Sequence, residues 1–535
     1  MQHLSYNFRD PFVRLGPWEI AVRVATYENV YGLDPDRLTV IETSTGRSVV
    51  AEGLMWAGNQ MKAPGRVTAD LTFDGQTATV RLAAALPRTI RGVKLLITGL
   101  GPGTLTTPFG TTYRLPAQPV RLAYPSIELS TPLVFYQEES GRVFYARSLD
   151  SRVRRKRITL YQGTPAMESD RLFLELDFED LGPEQSDRVT VPAWEFGYAT
   201  DPEAVRQTHQ RHVEASYGLQ PWEERADVPD WARDIALVVA LHGMHWTGYV
   251  FNTYAQMAAA LETICQAVPG RHVLAFLPGW EGRYYWDYGT YRPDPRLGGP
   301  EGFRQLVARA AALGVVLMPM FGANCANKGL ENYEQWGAPA EIVSVGGFVF
   351  QGNRPDWDAF RAQDHGWQAW LNPGAPTWRQ RLLQEIGQVV ETYGLRAIFL
   401  DTHHVWENDA RYDLYAGLLR LREELRARHP GLLVTGEGWY DALGAVTPIV
   451  HAGFPEAWPD LLGRYCRIFG HLRWGDPSRG SSGVHEQGYV PFQLAPDHPA
   501  WLPTLTVVDG TLERAPEKVQ RVLTQARRRL GLDRT

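Results

Sequence analysis

The sequence predicts an α/β protein, a parallel (β/α)8 barrel of the TIM type preceded by an all-β sandwich. Three observations predict it. The first 200 residues are short, partly alternating apolar runs parted by turn signals such as Asp74-Gly75 and Gly101-Pro102-Gly103. From Ile235 onward, apolar strands alternate with amphipathic helices, the pattern of a parallel sheet covered by helices. Between Tyr393 and Leu443 lies a complete strand–helix–strand unit with an acid at the end of each strand, Asp401 and Glu437. In a parallel barrel that end of the sheet is the face on which active sites are built.

Taken in order, residues 1–200 read as the sandwich, with strands at Trp18–Val24, Arg37–Glu42, Val67–Phe73, Thr77–Leu82 and Gly92–Thr98. The runs Pro132–Gln137, Arg142–Ala146, Arg157–Gln162 and Arg171–Asp177 continue the series. The basic run Arg152–Arg157 (RVRRKR) could bind an anion but reads better as a solvated strand edge protected by charge. Residues 201–233 read as a helical linker that starts at the Asp201-Pro202-Glu203 cap. Residues 234–500 then form the barrel. Its first five strands are Ile235–Leu241, His272–Leu277, Val315–Met320, Leu395–Leu400 and Leu432–Thr435. Helices are expected at Thr253–Ala267, Pro300–Leu313, Thr377–Thr392 and Tyr412–Arg428, and an excursion rich in Gly, Asn, Trp and Asp fills 322–374. Pro448–His451, Ile468–Leu472 and Tyr489–Gln493 are the candidates for the remaining strands. Residues 501–535 read as a C-terminal extension with a final helix at Ala515–Leu530, whose closing arginines complement the helix dipole.

A chain of 535 residues exceeds one ordinary core, so two or three domains are expected. With 44% hydrophobic and 21% charged residues it reads as a soluble globular protein. A net charge of −6 gives no basis for a nucleic-acid or anionic-membrane partner. The first residues, MQHLSYNFRDPF, lack the basic and apolar regions of a signal peptide, and no apolar run approaches a membrane span. The three scattered cysteines read as free thiols of a reducing compartment, so a cytoplasmic location is expected.

The chemistry concentrates at the strand ends. After the first strand come His242, His245 and Trp246; after the second come Trp280, Glu281, Tyr284, Tyr285, Trp286 and Asp287. Asn324 follows the third, and Asp401 and Glu437 close the fourth and fifth. Sugars offer flat C–H faces and many hydroxyls, so a sugar site needs aromatic platforms beside carboxylates, amides and histidines. Two carboxylates in such surroundings point to glycoside hydrolysis of a carbohydrate substrate. Asp401 and Glu437 are the expected catalytic pair. His245, Trp246, Trp280, Trp286, Asp287, Asn324, His403, His404 and Trp439 are the expected substrate-binding residues.

Glu437 lies between Gly436 and Gly438, which predicts a tight turn that exposes it. His403 and His404 are expected to favour an ionised Asp401, and the apolar context of Trp439 to keep Glu437 protonated. No metal or cofactor is expected: His242 and His245 are three apart, which on a strand sets them on opposite faces, and no HExxH occurs. Plainer readings stand beside each of these. A carboxylate after a strand is often a helix cap, and a Trp-rich stretch is more often core than platform. The alternatives are an inverting or metal-assisted hydrolase on the same barrel, or a carbohydrate-binding barrel without catalysis.

These residues resemble a known group of enzymes. Asp401 closing strand four and Glu437 in GEGW closing strand five look like the nucleophile and acid/base of retaining α-glycosidases, namely the α-amylase superfamily and the endo-α-N-acetylgalactosaminidases. Trp370-Leu371-Asn372-Pro373 before the helix of Trp378-Arg379 resembles the approach to the nucleophile strand in these and in melibiase-like enzymes. HGMHWTGY, GWEGRYYWDYGTY and LGGPEGFRQLVARAAALG look closer still to a group of barrel proteins related to such enzymes. The resemblance spans about Asp234 to Gly475. It implies a retaining mechanism with Asp401 as nucleophile and Glu437 as acid/base. The α-amylase pattern places Arg two residues before the nucleophile, where this chain has Phe399.

Overall fold

The computed structural model describes residues 10–163, 170–245, 248–283, 286–349, 368–438, 440–452, 458, 460–470, 498–508 and 510–532. The chain divides into two compact units: residues 1–219 with 440–442 and 456–458, and residues 220–439 with 443–455 and 459–535.

The first unit holds two antiparallel sheets, each of nine strands among the described residues. In one, Trp18–Thr26 pairs with Ile90–Thr98; in the other, Thr77–Ala85 pairs with Arg188–Tyr198. The alternation seen in the sequence becomes inward and outward faces. Trp18, fully buried, points from the first sheet onto Phe73, Phe144, Phe196 and Tyr198 of the second. An aromatic of that size packed edge-on and stacked fills the space between two facing sheets. Helix α1 (Pro202–Tyr217) follows, capped by Asp201 and ended by Gly218 in the left-handed region.

The basic run is not the solvated edge that its charge suggested. Arg154 and Arg155 are buried just ahead of a strand that begins at the fully buried Lys156 and is covered on both edges by neighbours. Lys156 Nζ lies 2.8 Å from Asp150 Oδ2, and Arg154 bridges Asp150 and Asp180 at 2.6 and 2.8 Å. Burial by itself raises the Asp150 carboxyl, but these two cations override it and hold the group below its usual range. Arg154 and Lys156 both answer a buried acid, Asp150, which the local sequence pattern does not show.

The second unit is a parallel sheet wound into a barrel. Its strands are β1 (Leu237–Leu241), β2 (Val273–Leu277), β3 (Val316–Gly322), β4 (Ala397–Asp401), β5 (Leu433–Glu437), β6 (Ile449–Ala452) and β7 (Arg467–Gly470). Each is parallel to the next. Two short segments, Trp501–Leu502 and Thr504–Val507, are parted by Pro503 alone; the first pairs with β7 and the second with β1, so together they act as β8 and close the sheet. Pro503 has no N–H for a ladder, which accounts for the break. Residues 501–507 are therefore barrel wall rather than an extension, and the Tyr489–Gln493 candidate for a strand lies outside the described residues.

β1 and β2 read LVVAL and VLAFL with every residue buried, as expected of strands covered on both faces. The helices α2 (Tyr254–Cys265), α3 (Gly299–Leu313), α4 (Pro376–Tyr393), α5 (Leu414–Arg428) and α6 (Pro516–Arg529) belong to this unit. Thr253 and Gln256 form a capping box at the start of α2, and Gly394, at φ 63°, ends α4 and turns the chain toward β4. The arginines closing α6 do more than face its dipole: Arg527 donates to the Ala267 carbonyl, and Arg529 to those of Trp501 and Pro499. Among the described residues no helix is long and apolar enough to cross a membrane, and the three cysteines are free thiols.

Candidate active site

Asp401 and Glu437 are the last residues of β4 and β5, on adjacent strands at the C-terminal end of the sheet, and both are buried. Below them the barrel interior is filled by a layer of rings. Phe276 of β2, Phe399 of β4 and His451 of β6 meet there, with Phe469 stacked on His451 at 4.9 Å. The alternate strands β2, β4 and β6 supply three of these rings and β7 the fourth, which gives the two acids a rigid floor. Phe399, found where the α-amylase pattern has Arg, belongs to this floor.

Asp401 is held from one side by a residue that the sequence did not single out. Tyr288, fully buried, donates its hydroxyl to Asp401 Oδ2 at 2.6 Å. Its place depends on Gly322, the β3 residue in register with Asp401. A Cβ at Gly322 would come within 2.2 Å of the Tyr288 ring, so only a glycine leaves room for it. Tyr291, also buried, steadies the same corner by accepting the Gly322 N–H at 2.9 Å.

The chain leaves Asp401 through Thr402 at φ 63°. That conformation is costly for a β-branched residue and is kept only where its surroundings enforce it. Here they do: the Thr402 hydroxyl donates to the Asp401 carbonyl at 2.6 Å and the Thr402 N–H donates to Glu437 Oε2 at 2.7 Å. His404 Nδ1 lies 2.5 Å from the same Oε2, and the Glu437 N–H donates to His403 Nδ1 at 2.9 Å. Three successive residues after one acid thus hold the other.

This reverses two expectations. The histidines that were to favour an ionised Asp401 contact Glu437 instead, because the turn at Thr402 carries them across to β5. The glycines flanking Glu437 are not in left-handed turns. They are close-approach sites: a Cβ at Gly436 would meet His403 Cε1 at 2.5 Å, and one at Gly438 would meet Val450 Cβ at 2.7 Å.

The electrostatics follow from burial. Burial, then the charge of Glu437, raises the Asp401 carboxyl well above its usual range, while Tyr288 and Thr402 oppose the rise. The charge of each acid disfavours ionisation of the other. Burial lowers His403 to about 3, so its ring is neutral. His403 Nε2 has no hydrogen-bond partner among the described residues. Glu281, after β2, is 4% exposed and neither of its carboxyl oxygens has a hydrogen-bond partner among the described residues. Burial above all raises it far above the usual carboxylate range, and Asp287, Asp401 and Asp294 add to the rise.

The other expected site residues divide. Trp280 is a core residue, not a platform: it is fully buried, donates Nε1–H to the Met320 carbonyl and packs on Phe303 and Phe321. Trp286 is half-buried, with the Arg283 guanidinium 4.3 Å from its ring centre, and Asp287 accepts the Arg283 N–H. Asn324 is fully buried and donates to the Val405 carbonyl at 2.9 Å, so it supports the loop after β4. His242 and His245 are buried in a loop beyond β1, not on opposite faces of a strand, with ring centres 6.2 Å apart and both rings against Phe251. Among the described residues no group of three or more His, Cys, Asp or Glu side chains could hold a metal ion. Trp246 and Trp439 lie outside the described residues, as do Tyr284 and Tyr285. Tyr288 and Thr402 could have been found from the sequence only through their neighbours, the aromatic run after strand two and the polar residue after Asp401.

No protein-family model matches the chain, and no curated protein matches it. Solved structures do share its fold. The α-N-acetylgalactosaminidase NagBb from Bifidobacterium bifidum, in complex with GalNAc, superposes with a TM-score of 0.66 at 15% identity, over 96% of this chain and 89% of that one. The GH36 α-galactosidase AgaA from Geobacillus stearothermophilus gives 0.50 at 11% identity, over 97% of this chain and 76% of that one. At such identities the likeness is one of fold.

Proposed function

We propose that this chain is a glycoside hydrolase that cleaves an α-glycosidic bond by double displacement, with Asp401 as nucleophile and Glu437 as acid/base. The observation that carries the reading is the pair of buried, coupled acids ending adjacent strands at the C-terminal face of the barrel. Its fold neighbours act on α-linked galactose and N-acetylgalactosamine by their names, so an α-galacto-configured sugar is the substrate class proposed.

In the first step an Asp401 oxygen attacks the anomeric carbon while the Glu437 proton passes to the departing oxygen. In the second, water attacks the same carbon, gives its proton to Glu437 and releases Asp401. The coupling of the acids suits this chemistry, which needs one of them charged and the other protonated. The test is hydrolysis of aryl α-galactosides and aryl α-N-acetylgalactosaminides, with product anomers followed by NMR. Retention is expected, with Asp401→Asn inactive and Glu437→Gln active only on activated leaving groups.

A second reading has an observation of its own. The N–H of Thr402 and the imidazole of His404 both meet Glu437, whereas Asp401 is the raised acid. Inversion, with Asp401 as acid and Glu437 as base, would follow from that placement. Net inversion in the NMR assay would select it.

A further inference from the structure

We propose that His404 is a positioning residue for Glu437: its ring, with the Thr402 N–H, holds the Oε2 oxygen so that Oε1 carries the transferred proton. The proposal rests on the glycosidase reading above and gives a new role to a residue expected from the sequence to touch the sugar and to favour an ionised Asp401.

Three observations lead to it. Oε2 of Glu437 is met by Thr402 N at 2.7 Å and by His404 Nδ1 at 2.5 Å. An oxygen that accepts two N–H groups is stabilised as an anion and is the poorer place for a proton, which assigns the proton to Oε1. Next, the clamp is preformed. The strained Thr402 backbone, the His403 ring against Gly436 and the Glu437 N–H on His403 Nδ1 tie the ends of β4 and β5 together within the protein itself. Donors fixed in advance at the site where charge develops lower the barrier without reorganisation. Finally, the Glu437 side chain is 7% exposed and that of His404 30%, so the acid is the more buried member of the pair.

As Glu437 gives up its proton to the leaving oxygen, negative charge grows on its carboxyl. His404 Nδ1–H and Thr402 N–H stabilise that charge through Oε2. When water later returns a proton to Oε1, the same contacts keep the carboxyl oriented. The other titratable groups around Glu437 among the described residues are Asp401 of β4, the Cys325 thiol, His403, and His451 of β6, which pairs with Glu437 in register. Of these, His403 is held neutral by burial and the Cys325 thiol is raised by it, so neither supplies charge near neutral pH.

The experiment compares His404→Ala and His404→Gln with the wild type in two readouts. The first is the 13C shift of the labelled Glu437 carboxyl against pH, which needs no substrate. Loss of a donor to the carboxylate raises its titration point, so His404→Ala should titrate about one pH unit higher, and His404→Gln, which keeps an N–H donor, close to wild type. The second is the pH profile of kcat on aryl α-glycosides. The alkaline limb should move up with the titration, and kcat on poor leaving groups should fall about tenfold with KM little changed. An unchanged Glu437 titration in His404→Ala, or a rise in KM without change in the limb, overturns the proposal and leaves His404 as a sugar contact or a structural residue. If instead the titration moves as expected but Glu437→Gln hydrolyses poor substrates at the wild-type rate, the glycosidase assignment of Glu437 fails while the clamp stands.

Discussion

Replacing Tyr288 with Phe removes one oxygen and leaves the ring that Gly322 accommodates, so the fold should be kept while Asp401 loses a donor. Tyr288 O–H to Asp401 Oδ2 is 2.6 Å and buried, in the range of a charge-assisted hydrogen bond. Such bonds contribute about 1.5–3 kcal/mol, or roughly a 10- to 150-fold change in rate when the charge is needed for reaction. The sign is fixed by the site: the Tyr288 bond lowers an Asp401 pKa that burial and Glu437 raise, so its loss raises that pKa further. The acidic limb of kcat/KM, set by ionisation of the nucleophile, should therefore move up by about one to two pH units. The assay is steady-state hydrolysis of an activated aryl α-glycoside from pH 4 to 9, with thermal unfolding measured in parallel. A Tyr288→Phe protein whose acidic limb stays in place while Asp401→Asn is inactive would refute the argument. So would a rate loss that the fraction unfolded explains entirely.

Gly436→Ala should destabilise the second unit by about 1–3 kcal/mol in urea unfolding, because the new methyl would lie 2.5 Å from His403 Cε1 and must displace the ring that accepts the Glu437 N–H. Trp280→Ala should cost about 3–5 kcal/mol of stability, as expected of a core aromatic, and the surviving folded fraction should keep its KM for aryl glycosides. Lys156→Met in the first unit should lower its unfolding midpoint, since it leaves the buried Asp150 with Arg154 alone; breaking such a pair costs about 3–5 kcal/mol. Asp441, buried against Tyr124 and Thr131, is raised from 3.8 to about 6, chiefly by burial. Its contribution to stability is thus present below about pH 4 and lost as pH rises through about 6, a change of about 3 kcal/mol. The stability difference between wild type and Asp441→Asn should follow that window in denaturant titrations at several pH values.

Hydrophobic periodicity is a local property, and it was enough to read the two-part architecture, the first seven barrel strands to within a few residues, and the acids at the ends of β4 and β5. Strands such as LVVAL and VLAFL declare themselves because a barrel strand is buried on both faces. What the sequence could not show were pairings between distant residues. The role of Trp280 was decided by Phe303 and Phe321, and that of the RVRRKR run by Asp150 and Asp180. A Trp or an Arg looks the same in the sequence whether its partner is a sugar, water or a buried neighbour. Closure of the barrel by 501–507 was hidden for a related reason: Pro503 cuts the strand into pieces too short to show a period. The histidines after Asp401 show the limit most clearly. Their neighbour in sequence is one acid, but the left-handed turn at Thr402, a backbone angle that no side-chain pattern encodes, delivers them to the other.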